Sequence, residues 1–455
     1  MLLKIPLRII ESKAFLIIIT SFFYLVILFT RSFMGIYFFN FRLGEIVMGV
    51  SLLVFVYSIV LLNFKNEIKQ QFDKKFIIFN NLIFISFFII TYYSDSQLNI
   101  TYTYKASSYI WTIGFFYVGY FTAKNIKFKQ SYLNFVASTL LFIYFYAIFG
   151  LPDFLVNFFL SISDKFEPHK GSDILIIFVV IFFFFNKFKL NKRLAFEIFT
   201  VFSFIYLPLI LFKSRASFIS FIIFLIFEFY ILRKFIFQNT KRNIILFLVT
   251  IIFFIISVFL VSGSKFLEDN QESFVSEVQY GINYIATYRA DPDDEVFRLF
   301  YLADDILGSK TRRIFSTDNN LNWRLQIWQD VLYDLKDNNR LFLGYGYNDI
   351  IPAMQRIDRQ GLDRLNENVH NYVINLIARG GVLNFILFVI FYIFVLFKIK
   401  EKLTWAILLS FFIPVIFNSL FDVAMENSHY PLIFYFVLGI MYNSNENFRK
   451  NINLE

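Results

Sequence analysis

Residues 367–397 read ENVHNYVINLIARGGVLNFILFVIFYIFVLF, a stretch that changes character part-way along. Beyond Arg379 no charged residue occurs until Lys398, which leaves a long apolar run of the kind that crosses a bilayer. As a helix, 371–397 extend about 40 Å, more than the ~30 Å of a hydrocarbon core. The first turns therefore stand above the lipid. Asn371, Asn375 and Arg379 recur there four residues apart, so one polar stripe faces protein or water. Gly380 and Gly381 allow a bend or a close helix contact. His370 stands at the start, where the helix dipole opposes protonation and lowers the imidazole pKa. A neutral imidazole is a competent base near neutral pH. A histidine at that point serves equally well as a helix cap.

The rest of the chain repeats the apolar half of this pattern. Of its 455 residues, 58% are hydrophobic, and the mean hydropathy is +0.60. Soluble domains hold about 45–50% apolar residues. Twelve stretches read as spans, near 14–30, 43–62, 76–93, 108–123, 131–150, 172–186, 194–211, 216–232, 243–262, 371–397, 403–420 and 430–442. The expected fold is an all-α polytopic membrane protein with about 12 transmembrane helices. The first span follows a basic N-terminus without a small-residue cleavage site and reads as a retained helix. Cysteine is absent, which excludes disulfides, thiolate nucleophiles and Cys-based metal sites.

Charge placement orients the spans. Residues 1–13, 63–75, 124–130, 186–193, 233–242, 398–402 and 443–455 hold 23 Lys+Arg, against 7 in the short segments opposite. The basic side is expected in the cytoplasm, with both termini. The net charge of +9 is then a topology signal, and no nucleic-acid partner is expected. Residues 263–370 form one large, mostly helical outer loop between the ninth and tenth spans, with 12 Lys+Arg against 18 Asp+Glu. A polar loop of that length is expected to carry structure and function. The organisation is thus 1–262 with spans one to nine, 263–370 as loop, 371–442 with spans ten to twelve, and 443–455 as cytoplasmic tail.

Within the loop, Leu325, Trp328, Val331, Leu332 and Leu335 fall on one helix face, and Asp318, Asn319 and Asn320 offer capping chemistry before it. Arg324, one turn before Trp328, either covers that tryptophan with its stem or holds a guanidinium at the membrane seam. In the second case it can grip a phosphate bidentately. Gly344 and Gly346 suggest a sharp turn rather than a nucleotide site. The acidic run DPDDE at 291–295 reads as a structural loop, since Pro292 makes a turn. KSRAS at 213–217 is a very short outer connection. There Lys213 and Arg215 are either snorkelling anchors or cations placed for a lipid-linked phosphate.

Taken in order, SRAS in a short outer turn, an Arg–Trp helix in a large outer loop, LFLGYGY, and VHNYVINLIARGG leading into a span resemble the O-antigen ligase and O-antigen polymerase superfamily. The resemblance implies a metal-independent, inverting glycosyltransferase of the membrane class C type. It takes a glycan from undecaprenyl diphosphate at the periplasmic face of the bacterial inner membrane. A ligase delivers the glycan to lipid A–core; a polymerase delivers it to a lipid-linked repeat unit, the reading preferred here. Matching positions assign Arg215 and Arg324 to the diphosphate and His370 to the acceptor hydroxyl. Glu367 is a candidate to orient the imidazole, and Lys213, Asn371 and Arg379 are secondary substrate candidates. No cofactor is implied, membrane lipids surround the protein, and a chain-length regulator is a partner the resemblance allows. A flippase or exporter of lipid-linked sugars is the alternative of another class. It fits less well, because the embedded acids Glu45, Glu197 and Glu228 lie near span ends and the large loop lies on one side.

Overall fold

The computed structural model describes residues 13–69, 72–94, 96–123, 130–163, 166–187, 192–264, 300–304, 312–356, 359 and 366–443. The acidic run at 291–295 and most of the C-terminal tail lie outside the described residues.

The described chain is mostly helical. In order it forms α1 (Lys13–Met34), the strands β1 (Tyr37–Phe38) and β2 (Phe41–Arg42), α2 (Leu43–Phe64), α3 (Lys74–Tyr92), α4 (Ile100–Ala106), α5 (Gly114–Ala123), α6 (Gln130–Phe149) and α7 (Asp153–Ile162). Next come α8 (Gly171–Lys187), α9 (Lys192–Lys213), α10 (Arg215–Ile236) and α11 (Thr240–Ser262). The loop contributes β3 (Tyr301–Asp304), β4 (Arg312–Phe315) and α12 (Asn319–Asp337). The chain then returns to apolar helices α13 (Tyr372–Lys400), α14 (Trp405–Ser419) and α15 (His429–Tyr442).

All twelve expected spans coincide with helix over most of their length. Among the described residues, seven helices are long and apolar enough to cross a membrane: α1, α2, α3, α9, α10, α11 and α13. An eighth appears if Ser138–Phe149 and α7, bent by 84°, count as one broken span. Shorter apolar helices form within α8, in α14 and in α15. Apolar composition does not reveal breaks, and the 108–123 stretch is split between Ser108–Trp111 and α5. The loop is also less uniformly helical than expected. Its described part combines α12 with the antiparallel pair β3–β4, a short 3-10 turn at Pro352–Gln355 and irregular chain.

Small residues let the helices meet. A Cβ on Gly119 of α5 would lie 2.0 Å from the Phe436 carbonyl oxygen of α15, and one on Gly439 equally close to that of Phe116. The two backbones therefore touch, as they do at glycine crossings in membranes. Around them, aromatic side chains fill the interior, for example Phe411 and Phe434 with ring centroids 5.7 Å apart.

The connections segregate into two ends. Those expected on the outer face touch one another: Arg31 and Lys170 both reach Glu167 (3.3 and 3.2 Å), Lys105 pairs with Glu367 (2.7 Å), and Arg340 donates to the Tyr93 carbonyl (2.8 Å). At the opposite end Arg242 pairs with Glu197 (2.7 Å) and Lys402 donates to the Tyr442 carbonyl (2.6 Å).

The glycine turn locks the loop to α13. Gly381 adopts φ 68° and breaks the helix. Residues 341–346 lie in the break, with Val382 N on the Leu341 oxygen (2.9 Å), Tyr345 N on that of Ala378 (2.8 Å) and Gly346 N on that of Arg379 (2.9 Å). A Cβ at Gly381 would meet the Phe342 oxygen at 2.0 Å, so no other residue fits. The expected chain reversal at Gly344 and Gly346 and the expected bend at Gly380–Gly381 are one feature.

Candidate functional site

Helix α12 positions the site. Asp318 caps it, accepting from Leu321 N at 2.9 Å. Its apolar face buries Ile327, Val331 and Leu335 in a small cluster with Ile351, Met354, Val369 and Ala378; Leu325 is buried outside that cluster, and Leu332 faces outward. On the flank, the buried Asp330 carboxylate accepts from Arg313 and Arg359, both at 2.6 Å. Trp328 Nε1 donates to the Val369 carbonyl at 2.7 Å, and the Trp323 ring lies 5.1 Å from the His370 ring. These contacts fix the first turns of α12 against the start of α13.

His370 has φ 52°, in the left-handed region, immediately before the α13 N-cap Asn371. The imidazole thus leaves the helix line and stands between α12 and the α14–α15 connection. Its pKa is lowered to about 4, first by burial and then by the Arg324 and Lys170 charges, with Asp422 opposing. It is neutral at pH 7. Its Nδ1 is buried and has no hydrogen-bond partner among the described residues.

Arg324 donates to the Phe421 carbonyl from α12, while its buried Nε has no partner among the described residues. Burial pulls its guanidinium below the ordinary arginine value, with Asp422 and Asp318 opposing. Arg215, at the start of α10, ion-pairs with the same Asp318, and its side chain is 78% exposed. Two guanidiniums, an imidazole and two carboxylates therefore meet from four separate stretches of chain. A buried donor and a ring nitrogen without partners are sites that a ligand can satisfy.

Residues 198–389 match the family model described as O-antigen ligase. Over that stretch the chain is similar to the O-antigen ligase family. No curated protein matches the chain.

All seven residues expected at the site lie inside this ligase-family stretch, and the fold treats them differently. Arg215, Arg324 and His370 converge. Lys213, at the end of α9, is partly buried and within electrostatic reach of Asp173. The turn between it and Arg215 is held by α8, since a Cβ on Gly171 would stand 2.8 Å from Ser214 Cβ. It is also tied to α14, through Ser217 Oγ donating to Asn418 Oδ1 at 2.9 Å. Asn371 is the α13 cap, accepting from Ile374 N at 3.0 Å. Arg379 is buried and committed to the glycine turn: it donates to the Gly346 and Asp349 carbonyls and to Tyr102 Oη (2.9 Å). Glu367 turns away to Lys105.

Asp422 and Lys170 were not anticipated, and both lie outside the ligase-family stretch. Asp422 sits in FDVAMENSH, residues 421–429, a segment without Lys or Arg. Its two acids were the available signal. Among the described residues no three His, Asp or Glu side chains gather as a metal set.

Proposed function

We propose that the protein is a surface-polysaccharide polymerase. It moves a glycan from undecaprenyl diphosphate to a hydroxyl of a lipid-linked repeat unit at the periplasmic face of the inner membrane. The observation that carries this reading is the convergence of Arg324, His370 and Asp422, with Arg215 alongside, in a ligase-family fold. The outer orientation rests on the Lys+Arg asymmetry of the connections.

The energy arrives with the donor, because a sugar diphosphate carries its own leaving group. Arg324 and Arg215 take the diphosphate, Lys213 adds a nearby cation, and their charge stabilises the oxygen that leaves the anomeric carbon. The acceptor hydroxyl forms the new glycosidic bond as the old carbon–oxygen bond breaks. Its proton passes to His370, then to the departing lipid diphosphate or to water. An imidazole with a pKa of about 4 is a weak base before the donor binds. Bound diphosphate brings negative charge beside it and raises its basicity when the acceptor is present. Asp422 stabilises the imidazolium that forms. Positive charge on the leaving group comes from guanidinium, so no metal enters the mechanism.

The second reading, transfer to lipid A–core, is favoured by the description of the matching family model. A defined lipid-diphosphate glycan and purified protein in liposomes test the proposal. Longer lipid-linked chains support the polymerase, product on lipid A–core alone supports the ligase, and movement across the bilayer without bond change refutes both. In cells, deletion leaves a single repeat on the acceptor for a polymerase and a bare acceptor for a ligase.

A further inference from the structure

The two short turns that flank the site carry opposite charge. The turn between α9 and α10 presents Lys213 and Arg215; the one between α14 and α15 presents Asp422 and Glu426 and has no Lys or Arg from 421 to 429. Glu426 ends a 3-10 turn whose Ala424 and Met425 are buried against the helices, which fixes where its side chain emerges. The residue as a whole is partly exposed, yet its Oε1 is buried with no hydrogen-bond partner among the described residues.

Nearby cations do not answer it. Arg379 lies within electrostatic reach but spends its donors on Gly346, Asp349 and Tyr102. Lys105 is also within reach, and its ammonium is held by Glu367 at 2.7 Å. Burial, reinforced by Asp422, pushes the Glu426 carboxyl up to about 7 against the pull of Arg379 and Lys105. Near neutral pH it both donates and accepts hydrogen bonds. That is the chemistry of a group that holds a sugar hydroxyl, and a buried carboxyl oxygen without a partner calls for one.

We propose that Glu426, with the Lys105–Glu367 pair at its rim, forms the subsite for the acceptor sugar, binding hydroxyls of a neutral or amino sugar. The inference rests on the transferase reading above. In that reading the diphosphate leaves toward the cationic turn, and the incoming hydroxyl must approach the anomeric carbon from the other side. The base His370 marks where that hydroxyl enters, and the acidic turn reaches the imidazole through Asp422. Asp422, Glu426 and Glu367 repel a uronic acid at the same position, so the acceptor terminus is a sugar without a carboxylate.

The test varies acceptor and donor separately with purified full-length protein. Glu426→Gln removes the ionisable oxygen and is expected to raise the acceptor KM about tenfold or more, as loss of a hydrogen bond to a charged group does. The donor KM stays within twofold. Lys105→Met, a change at an exposed side chain, is expected to raise the acceptor KM by a smaller factor and serves if Glu426→Gln fails to fold. Unchanged acceptor KM in the folded variants, or a rise in donor KM instead, overturns the subsite. Acceptor glycan binding is also measured without donor, by Trp fluorescence. If the wild type binds acceptor but transfers nothing, the transferase reading fails. Should Glu426→Gln or Lys105→Met then leave that binding intact, the subsite fails as well.

Discussion

Arg215 and Asp318, 103 residues apart in sequence, are ion-paired across the head of the bundle, and Asp318 is also the cap of α12. One carboxylate thus fixes the helix that carries Arg324 and occupies the guanidinium of the neighbouring turn. In the proposed mechanism a phosphate oxygen takes the place of Asp318 on Arg215. Donor binding then exchanges one anionic partner of Arg215 for another.

Asp318→Asn separates those two roles. Asparagine caps about as well as aspartate, so thermal stability in detergent is expected to stay near that of the wild type. Arg215 loses its competitor, and the donor KM is expected to fall or hold. Asp318→Ala also removes the cap, at a cost of about 1 kcal/mol. A donor KM that rises severalfold in the folded Asn variant contradicts the exchange.

His370→Ala is expected to abolish transfer without loss of fold. The pH profile is more informative. The imidazole pKa is lowered to about 4 from an ordinary 6.5, so the neutral base is present above that value and lost as pH falls through it. Donor kcat/KM, which reports the empty enzyme, is expected to show no limb from His370 between pH 5 and 8. The acid limb of kcat, which reports the loaded enzyme, should lie higher because bound diphosphate raises the pKa. Identical limbs near 6.5 in both would show that the imidazole is neither buried nor influenced by the donor.

Much of this was legible in the chain. Hydropathy located the helices because each apolar run must bury or meet lipid, and the i, i+3, i+4 pattern of 321–335 gave α12 with its Asp318 cap. The pairing of the LFLGYGY turn with the Gly380–Gly381 break was not legible. It depends on backbone bonds between residues 33 to 41 apart, such as Gly346 N to the Arg379 oxygen. For the same reason Arg379 reads as a site residue in sequence and serves as a clamp in the structure. Asp422 escaped notice because two acids between a pair of spans have no periodicity, and only the fold brings one of them to His370. Helix breaks such as the one between Trp111 and Gly114 leave hydropathy unchanged, so the break inside the 108–123 stretch was not legible.

Gly381→Ala is expected to be the most damaging small substitution in the protein. The residue needs φ 68°, and the added Cβ would lie 2.0 Å from the Phe342 oxygen. The loop would lose its seat on α13. Folded yield and thermal stability should both collapse. Gly263→Ala, where φ is −98° and the nearest atom is at 3.4 Å, is the tolerated control. Comparable stability of the two variants would rule out the docked turn.

Arg324→Lys and Arg215→Lys test the fork. Each keeps the charge but loses planar bidentate donation. Arg324 is buried and donates to Phe421 as well, so its replacement is expected to cost more, about 10²-fold in kcat/KM for the donor, in line with removal of one charge-stabilising donor. Arg215, more exposed, is expected to cost less. Equal activity of Arg324→Lys and wild type would assign the guanidinium to packing alone.

The role of Asp422 is decided by combining substitutions. Its carboxylate is felt by both His370 and Arg324, and its Oδ1 accepts from Val423 N at 2.8 Å, a bond that asparagine keeps. Asp422→Asn removes one charge with little change of shape. The imidazolium loses stabilisation, so kcat is expected to fall about 10- to 10²-fold, within the range of general-base effects. Its acid limb should move to lower pH, because Asp422 is the group that opposes the lowering of the His370 pKa. If the carboxylate acts through the imidazole, nothing remains for it to do once the imidazole is gone. The His370→Gln, Asp422→Asn double variant should then match His370→Gln alone within about twofold, the non-additivity of residues that work as a unit. A double variant slower by the full Asp422→Asn factor would place the carboxylate on Arg324 instead, and the acid limb of kcat in Asp422→Asn would then stay where it is.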